Sequence, residues 1–260
     1  MAMKSIFVFA PAETATVGKG PVGFAISLAK AYGAQLTVFT VAIDVTTPGL
    51  HTDALSVAGN IGSAAHDAGV ECTLITEHSH ALGIHEVVAE HARLHDISII
   101  GSQSSGLLSE RMVAEYLMFE SGRPVIVVPE TYDRPYENNV VGVAWDNTPA
   151  AARALGDAIT LLGPDQMHFI TIVGEKPLPT DMDNNALVQV IARRGVKADH
   201  LNVALFGRTI GSALQEEAVA AGSHMLIMGA FGHSRLRSFI LGSATADILK
   251  NVQIPTLLSH

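Results

Sequence analysis

Cysteine is almost missing from this chain. Cys72 stands alone in 260 residues, so no intrachain disulfide can form, and a reducing, cytoplasmic setting fits. Positive charge is also scarce. Lys and Arg number 16 against 25 Asp and Glu, for a net charge of −9 and a pI near 5.7. Nucleic acid and anionic membrane both demand basic surface, so neither is expected as a partner. No uncharged apolar run reaches membrane-spanning length, which argues against a transmembrane helix. The first apolar run, Ser5 to Ala10 behind Lys4, is too short for a secretion signal and meets Pro11 and Glu13 at once. A first β-strand is the better reading. No G-x-G-x-x-G opens a helix after that strand, and Gly18-Lys19-Gly20 lacks the spacing and the Ser or Thr of a Walker loop. A dinucleotide dehydrogenase is therefore disfavoured.

What is present is apolar bulk arranged twice over. Hydrophobic residues make up 48% of the chain, enough for a sizeable core. Residues 4–130 and 138–260 repeat one order of elements. The strands Ser5 to Ala10, Gln35 to Ala42, Glu71 to Glu77 and Ile97 to Gly101 are matched by Val140 to Trp145, Met167 to Val173, Lys197 to Ala204 and Met225 to Gly229. Helical patterns lie between them, among them Gly23 to Tyr32 and Ala81 to Leu94, then Pro149 to Leu162 and Ile210 to Ala221. Each half closes on a strand beside a proline, Pro124 or Pro255. Strands alternating with amphipathic helices predict crossover units and a parallel sheet. The fold expected is α/β, two tandem doubly wound domains, each with a mostly parallel five-stranded sheet in the order 3-2-1-4-5 and helices on both faces. The domains are placed at 1–131 and 138–260. The polar stretch Pro129 to Asn139, with two prolines and no apolar period, reads as the linker.

The stretch that carries chemistry is Met228 to Thr245, MGAFGHSRLRSFILGSAT. A buried strand leads into Gly229 and Gly232, and Gly242-Ser243 then opens a helical pattern. Glycine lets the backbone approach a ligand where a Cβ would collide. Free N–H groups at a helix start, with the positive end of its dipole, attract an anion. Phosphate is the biological anion that suits both. In a doubly wound sheet, ligands sit beyond the carboxyl ends of the strands where strand order reverses. That point lies between the first and fourth strands of the second half, and the first strand ends there in Asp146. A carboxylate at that place accepts hydrogen bonds from ribose hydroxyls or a base amine. The alternative is an Asx turn into the helix at Pro149, but position and chemistry together favour the ligand role.

The spacing G-x2-G-x9-G-S resembles the nucleotide-binding signature of the universal stress protein family, and the likeness of element order runs through both halves. The resemblance implies ATP, or AMP or ADP, in the second domain, with Mg accompanying the nucleotide. By that likeness Asp146 contacts the adenosine and Val173 lines the base pocket. Gly229, Gly232, Gly242, Ser243 and Thr245 hold the phosphates, with Ala144, Trp145, Met228 and Ala244 as neighbours in the site. His233, Arg235 and Arg237 lie in the loop and either pair with phosphate oxygens or form a solvated basic face. The implied role is stress response or regulation, with at most weak ATP hydrolysis, by pairing of the two domains within the chain and of chains as a homodimer.

The first half lacks this equipment. After Gly101 the chain runs Ser102-Gln103-Ser104-Ser105-Gly106, with no second glycine at the matching place, and its first strand ends Ala10-Pro11 without an aspartate. The first domain is expected not to bind ATP in the usual mode. An adenylating enzyme on a related fold is the competing reading. It would carry S-G-G-x-D-S after the first strand, where this chain has Trp145-Asp146-Asn147-Thr148-Pro149.

Other clusters carry less. His78, His80, His85, His91 and His95 crowd one region, and His91 and His95 lie one helical turn apart. No cysteine or compact carboxylate set completes a zinc site there, so these read as surface and interdomain histidines. Asp181, Asp183, Asn184 and Asn185 resemble a fragment of a calcium loop, without its glycine and distal glutamate. Cys72, in the alternation Val70, Cys72, Leu74, reads as a core thiol.

Overall fold

The structure is a computed structural model that describes residues 3–43, 54–79, 83–103, 109–137, 140–174, 184–230 and 243–260. The chain divides into two compact units, Met1–Tyr136 and Glu137–His260. Unit 1 runs β1 (Ser5–Phe9), α1 (Gly20–Tyr32), β2 (Gln35–Ile43), α2 (Ala54–Asp67), β3 (Cys72–Ser79), α3 (Ile84–Ala92), β4 (Ile97–Gly101), α4 (Glu110–Glu120) and β5 (Val125–Val128). Unit 2 repeats the series as β6 (Val140–Ala144), α5 (Pro149–Leu161), β7 (Gln166–Val173), α6 (Asn184–Ala192), β8 (Lys197–Ala204), α7 (Ile210–Ala220), β9 (Met225–Gly229), α8 (Ser243–Lys250) and β10 (Thr256–Ser259). The strand order is β3-β2-β1-β4-β5 in one unit and β8-β7-β6-β9-β10 in the other. The strand pairs are parallel. Each unit is the doubly wound sheet in the order 3-2-1-4-5 expected from the repeat.

The central strands explain themselves. β4 and β5 are buried along their whole length, as strands covered on both faces by helices must be. Caps fix the helix starts. Thr148 accepts from the Ala151 amide at 3.2 Å and Pro149 occupies the first turn of α5. Thr209 does the same for Ser212 at the start of α7, and Ser109 for Met112 at the start of α4. α1 begins earlier than the apolar period suggests, at Gly20, because Pro21 pre-sets the first turn. It ends at Gly33, whose left-handed backbone (φ 58°) returns its N–H to the carbonyls of Ala29 and Lys30.

Three sequence readings need correction. The stretch read as a linker is docked on unit 1 as far as Tyr136. Tyr132 and Tyr136 set their rings edge-on to Phe24, and the Tyr136 amide donates to Ser27 Oγ at 2.8 Å. Its apolar content is two tyrosines, too few for a period to register. Of the histidines read as a surface set, His95 is turned inward. It sets its ring at a tilt against Phe7, and its two nitrogens meet the His91 carbonyl and Thr37 Oγ1, each at 2.9 Å. His91 lies over Phe39. Burial pushes the His95 pKa down. Cys72 is half-buried on the edge strand β3 and not a core thiol, and Leu74 beside it is 42% exposed. Burial still raises the thiol pKa, which keeps it protonated and unreactive. α3 starts at Ile84, after Gly83 (φ 92°). His80 and Ala81 lie outside the described residues, as do Asp181 and Asp183.

Candidate functional site

The reversal of strand order in unit 2 falls between β6 and β9, which pair through Val141–Met225, Gly142–Leu226 and Val143–Ile227. Continuing that register sets Trp145, just past β6, level with Gly229 at the end of β9. Asp146 follows, exposed. Its Oδ1 accepts from the Thr148 amide at 3.1 Å and from the Thr148 hydroxyl at 2.7 Å, with Asn147 left-handed between them (φ 59°). The Asx turn is therefore real, and it employs one carboxylate oxygen to aim the chain into α5.

Gly229 is glycine for a reason inside the protein. A Cβ there would stand 2.4 Å from the Ala150 carbonyl carbon and 2.5 Å from the Ala151 nitrogen. The end of β9 thus touches the backbone of the first turn of α5. The positive end of that helix is brought to the switch point.

Trp145 is held from both sides. Its amide donates to the Ile170 carbonyl at 2.9 Å, and its carbonyl accepts from Thr171 Oγ1 at 2.7 Å. The Thr171 hydroxyl has given its proton to that carbonyl, so the contact with His200 Nε2 at 2.9 Å is donated by the imidazole. Burial lowers the His200 pKa, which keeps the ring neutral. The indole meets Phe169 edge-on, 5.9 Å between centroids.

Of the remaining expected site residues, Val173 is half-buried at the end of β7, paired with Ala204, and Gly174 (φ 90°) turns the chain beyond it. Met228 is buried inside β9. Ala244 is half-buried in the first turn of α8, and Thr245 is 2% exposed there. Gly232, His233, Arg235, Arg237 and Gly242 lie outside the described residues, as does the Ser243 side chain. The structure therefore brings Trp145, Asp146, Gly229 and the start of α5 together at the switch point, while Val173 ends the neighbouring strand.

Sequence reading missed the residues that position these elements. Gly211 in α7 lets α8 cross closely, since a Cβ there would lie 2.7 Å from Asp247 Cβ. Gln215, 1% exposed, donates to the Asn251 carbonyl at 2.9 Å and accepts from the Gln253 amide at 2.7 Å. It anchors the carboxyl end of α8. Thr171 and His200 were missed too, because the pairing that joins β7 to β8 is long-range. A glycine inside a helical pattern at Gly211 was the one visible signal.

The matching place in unit 1 is built differently. A Cβ on Gly101 would meet Glu130 Oε1 and the Glu110 carboxyl. The Ser102 amide donates to Glu130 Oε1 at 3.3 Å and the Gln103 amide to Glu110 Oε2 at 3.1 Å. The amides that follow β4 are thus taken by the protein's own acids. Among the described residues no three His, Cys, Asp or Glu side chains cluster as a metal ion would require. Nor is any helix there long and apolar enough to cross a membrane.

The fold defines a doubly wound α/β protein whose strand order in unit 2 reverses between β6 and β9. Comparison with known proteins shows what the chain is similar to. The model of the universal stress protein family matches residues 137–260. Universal stress protein Slr1230 of Synechocystis sp. is 27% identical over 176 residues, 62% of this chain and 57% of that protein. The chain thus matches little more than half the length of this relative. A universal stress protein from Archaeoglobus fulgidus superposes with a TM-score of 0.67 at 16% identity, over 97% of this chain and 95% of that one. A structure from Pseudomonas aeruginosa superposes with a TM-score of 0.64 at 13% identity, over 99% and 93%. The second unit is thus similar to the universal stress protein family, and the whole chain shares the fold of these structures.

Proposed function

We propose that unit 2 binds an adenine nucleotide, ATP with AMP or ADP as alternatives, and that binding serves stress response or regulation in the cytoplasm. One observation carries the reading. An exposed carboxylate, Asp146, and the amino-terminal turn of α5 meet the bare end of β9 where strand order reverses. A carboxylate offers acceptors to ribose and base, and a helix amino terminus favours phosphate.

In this reading Asp146 takes the adenosine and Ala144, Trp145, Val173, Met228 and Ala244 surround it. Gly229, Gly232, Gly242, Ser243 and Thr245 hold the phosphates with His233 and Arg235 beside them, and Mg accompanies the nucleotide. The domain 138–260 carries the working site and 1–131 a degenerate one. The acids on the amides after β4 support the second half of that assignment.

Trp145 is the chain's single tryptophan and reports directly on the crevice. Titration with ATP is expected to change its emission and to raise the melting temperature, by about 2.7 kcal/mol of stabilisation at a hundredfold excess over Kd. Gly242→Leu is expected to abolish both responses, and responses that survive it remove the site assignment. Rapid ADP release under the same conditions would favour the enzyme reading.

A further inference from the structure

Unit 1 holds a pair of acids that nucleotide binding does not use. Glu110 opens α4 and is 1% exposed. Glu130 follows β5, two residues beyond its end. Their carboxyls converge on one place, where a Cβ on Gly101 at the end of β4 would stand. Each also grips the tail of that strand, Glu130 through the Ser102 amide and Glu110 through the Gln103 amide.

We propose that Glu110 and Glu130 share one proton, and that this proton latches the start of α4 and the segment after β5 onto the tail of β4, so that unit 1 loosens where the proton is lost at alkaline pH.

The chemistry leaves one arrangement. Two carboxylates accept hydrogen bonds and donate none, so two brought this close with one of them buried are held together by a proton on one. Facing the Glu110 carboxyl are Glu130 from the segment after β5, the Gln103 N–H from β4 and the Thr14 hydroxyl, at 3.5 Å, from the loop after β1. None of these is a cation. Glu13, next to Thr14, is a further acid, itself raised by partial burial. Within α4, Arg111 is engaged by Glu115 at 3.0 Å. From α3, His85 and Arg93 meet α4 farther along, at Tyr116 and the Glu120 carbonyl. Burial, and then the charge of Glu130, push the Glu110 carboxyl up to about 9. The amino end of α4 would by itself favour the ionised acid, so the proton is retained against that field.

Amide hydrogen exchange of the full-length protein tests the latch. Corrected for intrinsic rates, Ser102 and Gln103 are expected to keep their protection from pH 6 to 8 and to lose it at least tenfold by pH 10. Glu110→Gln supplies a permanent N–H donor to Glu130, so it is expected to keep that protection at pH 10. Protection in the native protein that does not fall with pH, or that falls equally in Glu110→Gln, overturns the proposal. Should that variant not fold, infrared spectroscopy of the native protein decides. The carbonyl stretch of a protonated carboxylic acid is expected at pH 7 and gone at pH 10. No such band at pH 7 refutes the shared proton.

Discussion

At residue scale, Gly229 shows how a motif glycine can serve two masters. Its lack of a side chain was legible in the G-x2-G spacing, but the atoms that demand it are the Ala150 and Ala151 backbone. Backbone cannot swing aside as a side chain does, so Gly229→Ala is expected to destabilise unit 2 by about 2 kcal/mol, in the range of overpacked cores. Chemical denaturation checks this. Asp146 separates fold from binding in the other direction. Asn retains the oxygen that accepts from Thr148, so Asp146→Asn is expected to leave stability within about 0.5 kcal/mol. Losing the charge is expected to weaken ATP about tenfold, about 1.4 kcal/mol, measured by calorimetric titration. His95 sets an acid limit on unit 1. Its folded pKa lies below the ordinary value through burial. The unfolded chain therefore takes up protons first as pH falls. The stability from neutral His95 is full above the ordinary histidine range and shrinks as pH drops through it. His95→Gln is expected to flatten the melting temperature between pH 7 and 5.

At the scale of elements, periodicity and capping residues carried the reading far. Thr148-Pro149 located α5 to within one residue, and β4, β8 and β9 stand at their expected limits. Failures came where contacts across the sequence decide. Two tyrosines fasten the supposed linker to α1, and a single turn of approach at Gly211 sets α8 against α7. Neither leaves a periodic trace. The anchoring of α8 makes its own prediction. Gln215→Leu strips partners from the Asn251 carbonyl and the Gln253 amide. It is expected to cost about 1–3 kcal/mol and, by loosening α8, to weaken ATP without touching it. A variant of full stability would show that α8 is held by other means.

For the whole molecule, the two units share one strand order yet differ at the end of the fourth strand. Calorimetry is expected to find one ATP per chain, and two equal sites would refute the asymmetry. The repeat, the fold class and the asymmetry of the glycine motif were all determined by the sequence alone, because alternation of apolar segments and the presence or absence of a glycine are local properties. Only the tertiary structure decided what stands at each switch point. Glu110 and Glu130 lie far apart along the chain and close on Gly101 only when α4 and β5 pack beside β4. Two acids look like solvated charges until folding removes the water and leaves them one another.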